Sequence, residues 1–393
     1  MNRPHVMFII SALAGGGAER VIVDLSHFLS EKGYVVTVAT LEGDRSDHFP
    51  LHQSVRRLRT NIMWESRGVL DSALSMVKRL RLIRSLVRNT SPDVVVSFIE
   101  MTNVRVLLAL AGTDIPVIVS ERTDPRHHLI SGYWSHLRRH SYRRAARLVV
   151  QTDNVARWAR SWLSAKKVVI IPNAVRRPVD PAAQLKPSRM PHGRVLLGMG
   201  RLSVEKGFDL LVRAFAQAGL HRAGWSLVLL GEGGERGALT ALAADLGVGE
   251  NVLMPGIQAN PAEWLQHADI FALSSRYEGF PNALLEAMQC GVASVAFDCE
   301  SGPSEIIRDG FDGLLVPPTD VDGLSKALRR LALDAMLRGR LGANARSVTE
   351  RFSQEFVYGQ WQALLNSVIA EFGPAGCKLS AATDVKHPRK NNL

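Results

Sequence analysis

Two glutamates eight residues apart, Glu278 and Glu286, are the side chains in this sequence best suited to chemistry. If they shared one helix, about 12 Å would separate them. That exceeds the ~5 Å of a retaining hydrolase pair and the ~9.5 Å of an inverting pair. The spacing therefore favours two clamps for hydroxyl groups, one for a sugar and one for a ribose. Alternatively, Glu286 is a helix charge that the helix dipole stabilises.

The residues between the glutamates are suited to binding an anion. Pro281 fits the first turn of a helix. Gly279 and Phe280 then lie at the mouth of that helix, where backbone N–H groups are free to bind a phosphate. Asn282 follows within the same segment, and we group it with these residues as donor-binding.

Two cations five residues apart, Arg201 and Lys206, follow a predicted strand. In a loop at a cleft they can close around a diphosphate, because a guanidinium binds it through two hydrogen bonds and an ammonium as a point charge. A pair of solvated charges is the alternative. The next glycine-rich loop, residues 231–237, is one residue too long for a dinucleotide fingerprint, so it is a weak signal.

A glycine loop follows the first apolar run. Gly15, Gly16 and Gly17 open a helix, where glycine lets the backbone approach a ligand and the helix N-terminus favours an anion. The loop lacks the Gly-Lys-Ser/Thr ending of a P-loop, which argues against an ATPase. A tight turn without a ligand is the alternative. No Asp-x-Asp motif stands beside these loops, so we expect cationic side chains, not a divalent metal, to balance the diphosphate charge.

Short apolar runs alternate with longer amphipathic ones along most of the chain, which predicts parallel strands joined by crossover helices. The predicted strands are residues 6–11, 35–41, 94–98, 117–120, 148–151 and 168–171, then 195–199, 226–230, 252–254, 270–273, 294–297 and 314–316. The fold class is therefore α/β, with two Rossmann-like, doubly wound domains facing each other across a cleft.

The same pattern predicts the domain boundaries. The first domain spans residues 1–173. Residues 174–192 hold four prolines without apolar periodicity, as expected of a linker. Residues 193–350 would form the second domain, with helical periodicity over 321–341. The remaining segments are a helix at 351–375 that packs back on the first domain and a disordered tail at 376–393.

The net charge of +11 resides in the first half of the chain. Residues 1–190 carry 29 Lys and Arg against 15 Asp and Glu, and the rest carry 19 against 22. The basic residues cluster in three bursts that we interpret as helical: 56–59, 78–88 and 138–147. Aromatic residues do not alternate with them and no nucleic-acid motif is present, so an anionic membrane face or a phosphorylated lipid is favoured over nucleic acid. A solvated basic surface is the third possibility.

Composition bounds the class of protein. With 393 residues and 46% hydrophobic side chains, the chain can form two or three domains of ~150 residues. Cys290, Cys299 and Cys377 lack C-x-x-C spacing, which favours a reducing cytoplasm. No apolar run reaches the ~18 to 20 residues of a membrane span, so we expect at most peripheral attachment. The apolar run at 6–14 imitates a signal peptide, but it leads into the glycine turn, as a buried first strand would.

The motifs GGGAERV, IIPNAV, GRLSVEKG, SRYEGFPNALLEAM and GPSEIIRDGFDGLLVPP occur in that order. Over roughly residues 5–365 the chain resembles the retaining glycosyltransferases of family four, the "group 1" class with the two-domain GT-B fold. The resemblance implies that residues 193–350 form the nucleotide-sugar-binding domain, in which Arg201 and Lys206 hold the donor diphosphate. It also implies that the segment Glu278 to Pro281 meets the donor sugar and phosphate, and that Glu286 binds ribose.

The resemblance also concerns the first domain. It implies that the first domain carries the acceptor side and that Gly16 and Gly17 lie beside the phosphate and the acceptor, and we place Glu19 and Glu121 on the acceptor side. Many members carry a histidine after the strand at 117–120, whereas this chain has Glu121 and Arg122 there. The S-E-R-x-x-P form looks like a subgroup that builds bacterial surface polysaccharides. Arg122 would then replace the histidine as a catalytic residue, with Glu121 orienting it.

These observations predict a retaining transferase. It would move a hexose or N-acetylhexosamine from a UDP-sugar to a glycan acceptor on a polyprenyl diphosphate carrier, in the cytoplasm at the inner membrane face. His127 and His128 lie near Arg122, but we interpret their adjacency as incidental. A nucleotide-sugar epimerase, an NAD enzyme and a non-catalytic membrane-associated scaffold are the alternatives. Nucleic acid is not an expected partner.

Overall fold

The computed structural model describes residues 3–14, 16–42, 49–62, 69–127, 130–176, 187 and 189–373. Its first sheet has seven parallel strands in the order β3-β2-β1-β4-β5-β6-β7. These strands are β1 (His5–Ile10), β2 (Val35–Thr40), β3 (Arg56–Arg59), β4 (Val94–Phe98), β5 (Val117–Ser120), β6 (Arg147–Val150) and β7 (Val168–Ile170). The helices between them are α1 (Gly17–Glu31), α2 (Val69–Thr90), α3 (Glu100–Ala109), α4 (Gly132–Ser141) and α5 (Asp153–Arg160).

The second sheet has six parallel strands in the order β10-β9-β8-β11-β12-β13. They are β8 (Arg194–Met199), β9 (Trp225–Leu230), β10 (Val252–Gly256), β11 (Ile270–Leu273), β12 (Ala293–Phe297) and β13 (Leu314–Val316). The helices of this half are α6 (Phe208–Gln217), α7 (Arg236–Asp245), α8 (Pro261–Gln266), α9 (Asn282–Gln289), α10 (Pro303–Ile306), α11 (Val321–Leu333), α12 (Ala335–Ala345), α13 (Val348–Arg351) and α14 (Gln354–Phe372).

Continuous apolar runs explain why these strands form sheet centres. Every residue of β4, β11 and β12 is buried, because helices cover both faces of a parallel sheet and no face can carry polar side chains. Two hydrophobic clusters form on each sheet, one per face. The predicted fold class, two doubly wound α/β domains, is confirmed.

The last helix returns to the first domain. Val357, Trp361 and Leu365 of α14 belong to the same buried cluster as Phe8 and Phe98 of β1 and β4. The Trp361 indole stacks on the Phe98 ring, with centroids 5.9 Å apart and planes at 19°. The chain therefore crosses between the domains a second time after α13.

Some sequence predictions need correction. The basic burst at 56–59 is not helical: it forms β3, which pairs in parallel with β2 from Thr37↔Arg56 to Thr40↔Arg59. The helix predicted over 321–341 is two helices, because the Asp334 carboxylate accepts from the Leu337 N–H and caps a new start. Several predicted features lie outside the described residues: Gly15, His128, Cys377, most of the linker and the tail at 376–393.

Candidate active site

The strand order of each sheet indicates where a ligand binds. The order reverses between β1 and β4 in the first sheet and between β8 and β11 in the second. Ligands of open parallel sheets bind beyond the carboxyl ends of the strands at such switch points. The loops after β1, β8 and β11 lie there, and they carry three segments singled out in the sequence: 16–19, 201–206 and 278–282.

Lys206 and Glu278 are side by side at this edge. The Lys206 Nζ donates to Glu278 Oε1 over 2.7 Å, and the Ser275 hydroxyl donates to the same oxygen over 2.6 Å. Gly207 makes this approach possible: its φ is 61°, and a Cβ there would clash with the carbonyl oxygen of Ser274. The Glu278 carboxylate is therefore held against the ammonium group, with both groups only partly exposed.

The N-terminus of α1 faces the N-terminus of α9 across the cleft. A Cβ on Gly17 would lie 3.0 Å from Nδ2 of Asn282, and the Glu19 carboxylate folds back over Gly16. Burial raises the pKa of Glu19, and the positive charge of Arg201 opposes that rise. Arg201 itself is exposed. Two helix N-termini and a guanidinium thus converge, an arrangement that favours an anion.

The segment after Glu278 docks directly on the first domain. A Cβ on Gly279 would clash with the backbone carbonyl of Arg122. The Asn173 Nδ2 donates to Asn282 Oδ1 over 2.6 Å, and its Oδ1 accepts from the Gln151 Nε2 over 2.7 Å. Both Asn173 and Gln151 are buried. Only glycine at position 279 permits this close contact between the two domains.

Sequence reasoning assigned no role to Asn173 or Gln151. A signal was present for Asn173, because it stands in the IIPNAV motif.

The binding predicted at Phe280 and Pro281 is through the backbone. Both side chains are buried, which agrees with that prediction. The Phe280 ring packs edge-on against Phe352 in the second-domain core, with centroids 5.6 Å apart. Pro281 directly precedes α9 rather than lying in its first turn.

Arg122 lies at the floor of the cleft. Its guanidinium donates to Asn173 Oδ1 and lies 5.3 Å from the centre of the Phe98 ring. Burial lowers the pKa of Arg122 to about 10, and the facing Tyr358 opposes that change. Arg122 therefore stays positively charged at neutral pH.

Glu121 does not orient Arg122 and does not face an acceptor in this arrangement. It is buried in the first domain, where the Tyr142 hydroxyl donates to its Oε1 over 2.6 Å and the Arg138 Nη1 lies 3.8 Å away. Burial raises the pKa of Glu121 to about 7. Residues 121 and 122 are adjacent at the end of β5, so their side chains leave on opposite faces of the sheet.

Glu286 lies in the second turn of α9 and faces the first domain. Its Oε1 accepts a hydrogen bond from the Arg20 Nη1 over 2.9 Å. Burial raises the pKa of Glu286, and the charge of Arg20 opposes the rise. The sequence analysis did not anticipate this pair, which joins residues 266 positions apart.

A second group of polar contacts joins the domains near His127. The His127 ring stacks on Tyr277 at 5.5 Å, and its Nε2 lies 3.4 Å from Glu300. Asp124, His127 and Glu300 bring their ligand atoms within 4.8 Å of one another. However, the Arg126 guanidinium pairs with both carboxylates, at 2.5 Å from Asp124 and 2.8 Å from Glu300. This cluster is therefore an ion-pair network and fits a metal poorly.

One Asp-x-Asp spacing occurs in the chain away from these loops, at Asp320 and Asp322. Asp320 caps α11 by accepting from the Gly323 N–H over 2.9 Å. Asp322 accepts from the Gln217 amide over 2.7 Å. Both carboxylates thus serve the packing of α11 against α6, so this motif is not a diphosphate–metal site.

The outer face of the first domain combines basic and apolar side chains. On α2, Leu74 and Val77 are 72% and 47% exposed, and on α4 Tyr133 is 65% exposed. The exposed basic side chains beside them are Lys78, Arg81, Arg88, Arg139, Arg143 and Arg144. Arg79 and Arg84, expected on the same surface, are not available there. Arg79 is buried, and the Arg84 Nη1 donates to the carbonyls of Ala109 and Ala111.

Membrane insertion by a helix finds no support in the described part of the chain, where no helix has both the length and the apolarity to cross a bilayer.

Two protein families match this chain. Residues 15–177 match the family described as "Glycosyltransferase Family 4", and residues 185–348 match "Glycosyl transferases group 1". Together the two matches cover most of the chain, and they divide it between the two sheets.

Curated relatives include several bacterial proteins of glycan biosynthesis. The chain is 34% identical over 226 residues to an exopolysaccharide phosphotransferase of Streptomyces coelicolor, a match covering 57% of this chain and 23% of that protein. It is 26% identical to the amylovoran biosynthesis glycosyltransferase AmsD of Erwinia amylovora, over 89% of this chain and 96% of that protein. A Campylobacter jejuni protein is 24% identical over 92% of this chain and 98% of its own length, and it is named as a GalNAc-α-(1→4)-GalNAc-α-(1→3)-diNAcBac-PP-undecaprenol α-1,4-N-acetyl-D-galactosaminyltransferase.

Solved structures share the fold. A sucrose-phosphate synthase of Thermosynechococcus elongatus superposes with a TM-score of 0.79 at 19% identity, covering 94% of this chain and 100% of its own. The Anabaena protein HepE, solved in complex with UDP and glucose, has a TM-score of 0.75 at 19% identity, covering 93% and 100%. At these identities the likeness establishes the architecture of paired parallel sheets.

Proposed function

Because this chain belongs to the group 1 glycosyl transferases, we propose that it transfers a hexose or N-acetylhexosamine from a UDP-sugar to a glycan acceptor, with retention of configuration. The relatives that span nearly the whole chain are named for bacterial polysaccharide and lipid-linked glycan synthesis. A structural neighbour was solved with UDP and glucose. These names support a donor and an acceptor of the same kinds for this chain.

The single observation that carries the proposal is the convergence of cations and helix N-termini on one edge of the cleft. Lys206 and Arg201 flank the facing N-termini of α1 and α9. A diphosphate bound there would meet two positive side chains and the first turns of two helices. Such preorganised groups stabilise the negative charge that develops on the diphosphate as it leaves. A divalent metal is then not required, because the cations already supply the countercharge.

Retention is proposed to occur without a carboxylate nucleophile. Glu278 holds Lys206 and Ser275 through its Oε1, and Glu286 holds Arg20 through its Oε1, so we assign both carboxylates to positioning and binding. The acceptor hydroxyl would attack the anomeric carbon from the side of the leaving group. The bond between that carbon and the phosphate oxygen breaks, the bond to the acceptor oxygen forms, and the departing phosphate oxygen takes the acceptor proton. The protein contributes positioning and charge stabilisation.

The acceptor is proposed to be a glycan on a polyprenyl diphosphate at the cytoplasmic face of the membrane. The exposed Leu74, Val77 and Tyr133, flanked by basic side chains on α2 and α4, support this location. Apolar groups can enter the headgroup region while Lys and Arg meet anionic lipid.

A donor screen tests the proposal. Purified protein is incubated with UDP-, GDP- and ADP-sugars, and both thermal stabilisation and nucleotide release are measured. One UDP-sugar is expected to stabilise the protein and to be hydrolysed slowly without acceptor. With an acceptor, NMR of the product from an α-linked donor should show an α-linkage. A β-linked product would exclude retention, and the absence of any response to UDP-sugars would exclude the proposed donor.

A further inference from the structure

Arg20 on α1 and Glu286 on α9 form an ion pair that spans the two domains. The Arg20 Nη1 lies 2.9 Å from Glu286 Oε1, and the side chains are only 20% and 11% exposed. Within the described part of the chain, Arg20 is the one side chain that donates to this carboxylate. The contact therefore engages one oxygen of Glu286 and leaves Oε2 for another partner.

Arg20 is held in place by its own domain. Its guanidinium lies 4.7 Å from the centre of the Phe49 ring, a cation–π distance. Asp24, one helical turn further along α1, adds a negative charge that favours the charged form of Arg20. The arginine is thus a fixed feature of the first domain, and the Glu286 carboxylate arrives with the second domain.

The surroundings of the pair leave little room for water. A cavity of about 10 Å³ lies beside it, lined by Val21, Val175, Leu285 and Tyr358 among others. That volume holds about one water molecule. Charges that are poorly screened interact more strongly than exposed ones, so the pair has more influence on the relative position of the domains than a surface salt bridge would.

We propose that Arg20 is a positioning residue for the donor nucleotide: it holds the Glu286 carboxylate through Oε1 and turns its second oxygen toward the ribose, so that domain closure and nucleotide binding stabilise each other. The inference rests on the proposed function, in which Glu286 accepts hydrogen bonds from the ribose. Reciprocity follows from linkage: if closure strengthens ribose binding, ribose binding strengthens closure by the same factor.

The charges around Glu286 determine the expected pH dependence. Burial raises the pKa of the Glu286 carboxyl, whereas Arg20 and Arg176 oppose the rise and Asp24 adds to it. The titratable groups facing Glu286 are Arg20 and Asp24 of α1, Arg176 after β7, Tyr358 of α14 and the Cys290 thiol after α9. Removing Arg20 should therefore raise the pKa of Glu286 further. A ribose hydroxyl donates to the ionised carboxylate, so nucleotide affinity should be lost at a higher pH when Arg20 is absent.

Calorimetric titration with UDP tests the inference. Arg20→Gln should weaken UDP binding about tenfold at neutral pH, and Glu286→Gln should do so by at least as much. The double variant should bind no more weakly than Glu286→Gln alone, because both changes remove the same interaction. Arg160→Gln is the matched control: it removes an exposed arginine from α5 of the same domain, and its UDP affinity should equal that of the wild type.

The pH profile separates positioning from simple loss of stability. UDP affinity should fall on acidification, and in Arg20→Gln the midpoint of that fall should move to higher pH. Arg20→Lys keeps the positive charge but lacks the two-pronged guanidinium group, so its midpoint should lie between those of Arg20→Gln and the wild type. Arg20→Lys also carries the test if Arg20→Gln fails to fold. Wild-type affinity or an unchanged midpoint in both variants would overturn the inference, and so would additive losses in the double variant. If the wild type itself binds no UDP, the proposed function fails instead.

Discussion

The ammonium of Lys206 lies 2.7 Å from the carboxylate of Glu278, and the pair stands where the second-domain sheet opens into the cleft. The Ser275 hydroxyl bonds the same oxygen. The pair has two consequences. Lys206 is positioned before any diphosphate arrives, and the Glu278 charge is balanced until a donor sugar comes within reach.

Removing either cation should damage catalysis more than folding. Arg201→Ala and Lys206→Ala are each expected to lower kcat/KM by at least ~2 kcal/mol of transition-state stabilisation, because each removes a charged contact to the leaving diphosphate. Steady-state kinetics with the donor identified by the screen measures the loss. Circular dichroism should be unchanged. Activity within about threefold of the wild type would remove these residues from the mechanism.

The two glutamates should fail in different ways. In the proposed complex Glu286 binds the ribose, which does not change during reaction, so Glu286→Gln should raise KM and weaken UDP binding. Glu278 is proposed to face the sugar, which gains positive character in the transition state, so Glu278→Gln should lower kcat more than UDP affinity. Calorimetry and donor kinetics on the same samples distinguish the two. The opposite pattern would reverse the assignments, and two unaltered variants would make both glutamates structural.

Turnover should not depend on a divalent metal. Lys206 and Arg201 provide the positive charge, and the Asp-x-Asp spacing at 320–322 serves helix capping and packing instead. We expect the rate in excess EDTA to equal the rate in buffer. Loss of turnover in EDTA that Mn²⁺ restores would contradict this prediction decisively.

Asn173 should matter as a cross-domain contact. It donates to Asn282 and accepts from Gln151 and Arg122, so Asn173→Ala leaves buried polar groups without partners, at a cost of about 1–3 kcal/mol. We expect kcat/KM to fall roughly tenfold. Asn344→Ala serves as the control, because that side-chain amide donates to the Phe311 carbonyl within the second domain. Equal activity in the two variants would show that the Asn173 contacts do not contribute to turnover.

Membrane binding should depend on the basic face of α2. Replacing Lys78, Arg81 and Arg88 by Gln should weaken sedimentation with anionic liposomes by ~1 kcal/mol per side chain that reaches the surface. Salt should weaken wild-type binding in the same way. A triple change at Arg213, Arg222 and Lys326, in the second domain, removes equal charge and should have little effect. Equal wild-type binding to neutral and anionic liposomes would refute the assignment.

The sheets were predictable because their strands are buried on both faces. A continuous apolar run as short as Val94–Phe98 predicts a buried strand and not a helix. The predicted and observed bounds agree within one or two residues for most strands. β3 was missed because its sequence, RRLR, carries no apolar run. It lies at the sheet edge beside β2, where charged side chains reach solvent, so pairing and not hydrophobicity defines it.

The candidate site was only partly predictable. Residue type and local spacing identified Lys206 and Glu278, because each stands at a loop that follows a strand. The contacts that join the domains, such as Arg20 with Glu286 and Asn173 with Asn282, depend on the relative placement of residues more than 100 positions apart. No local pattern encodes that placement. The assignment of Glu121 failed because its carboxylate is buried against Tyr142, on the side of the first sheet opposite Arg122 and Phe98.

The packing of α14 against β1 and β4 has a consequence for how the chain folds during synthesis. Phe98 is made early, but the indole that covers it belongs to Trp361. During translation, part of the apolar surface of the first domain therefore stays uncovered until the whole second domain has been synthesised. Stalled or truncated chains that end before Gln354 would expose that surface to chaperones and proteases. The second domain lies within a continuous stretch of the chain, so its sheet can form before α14 is translated.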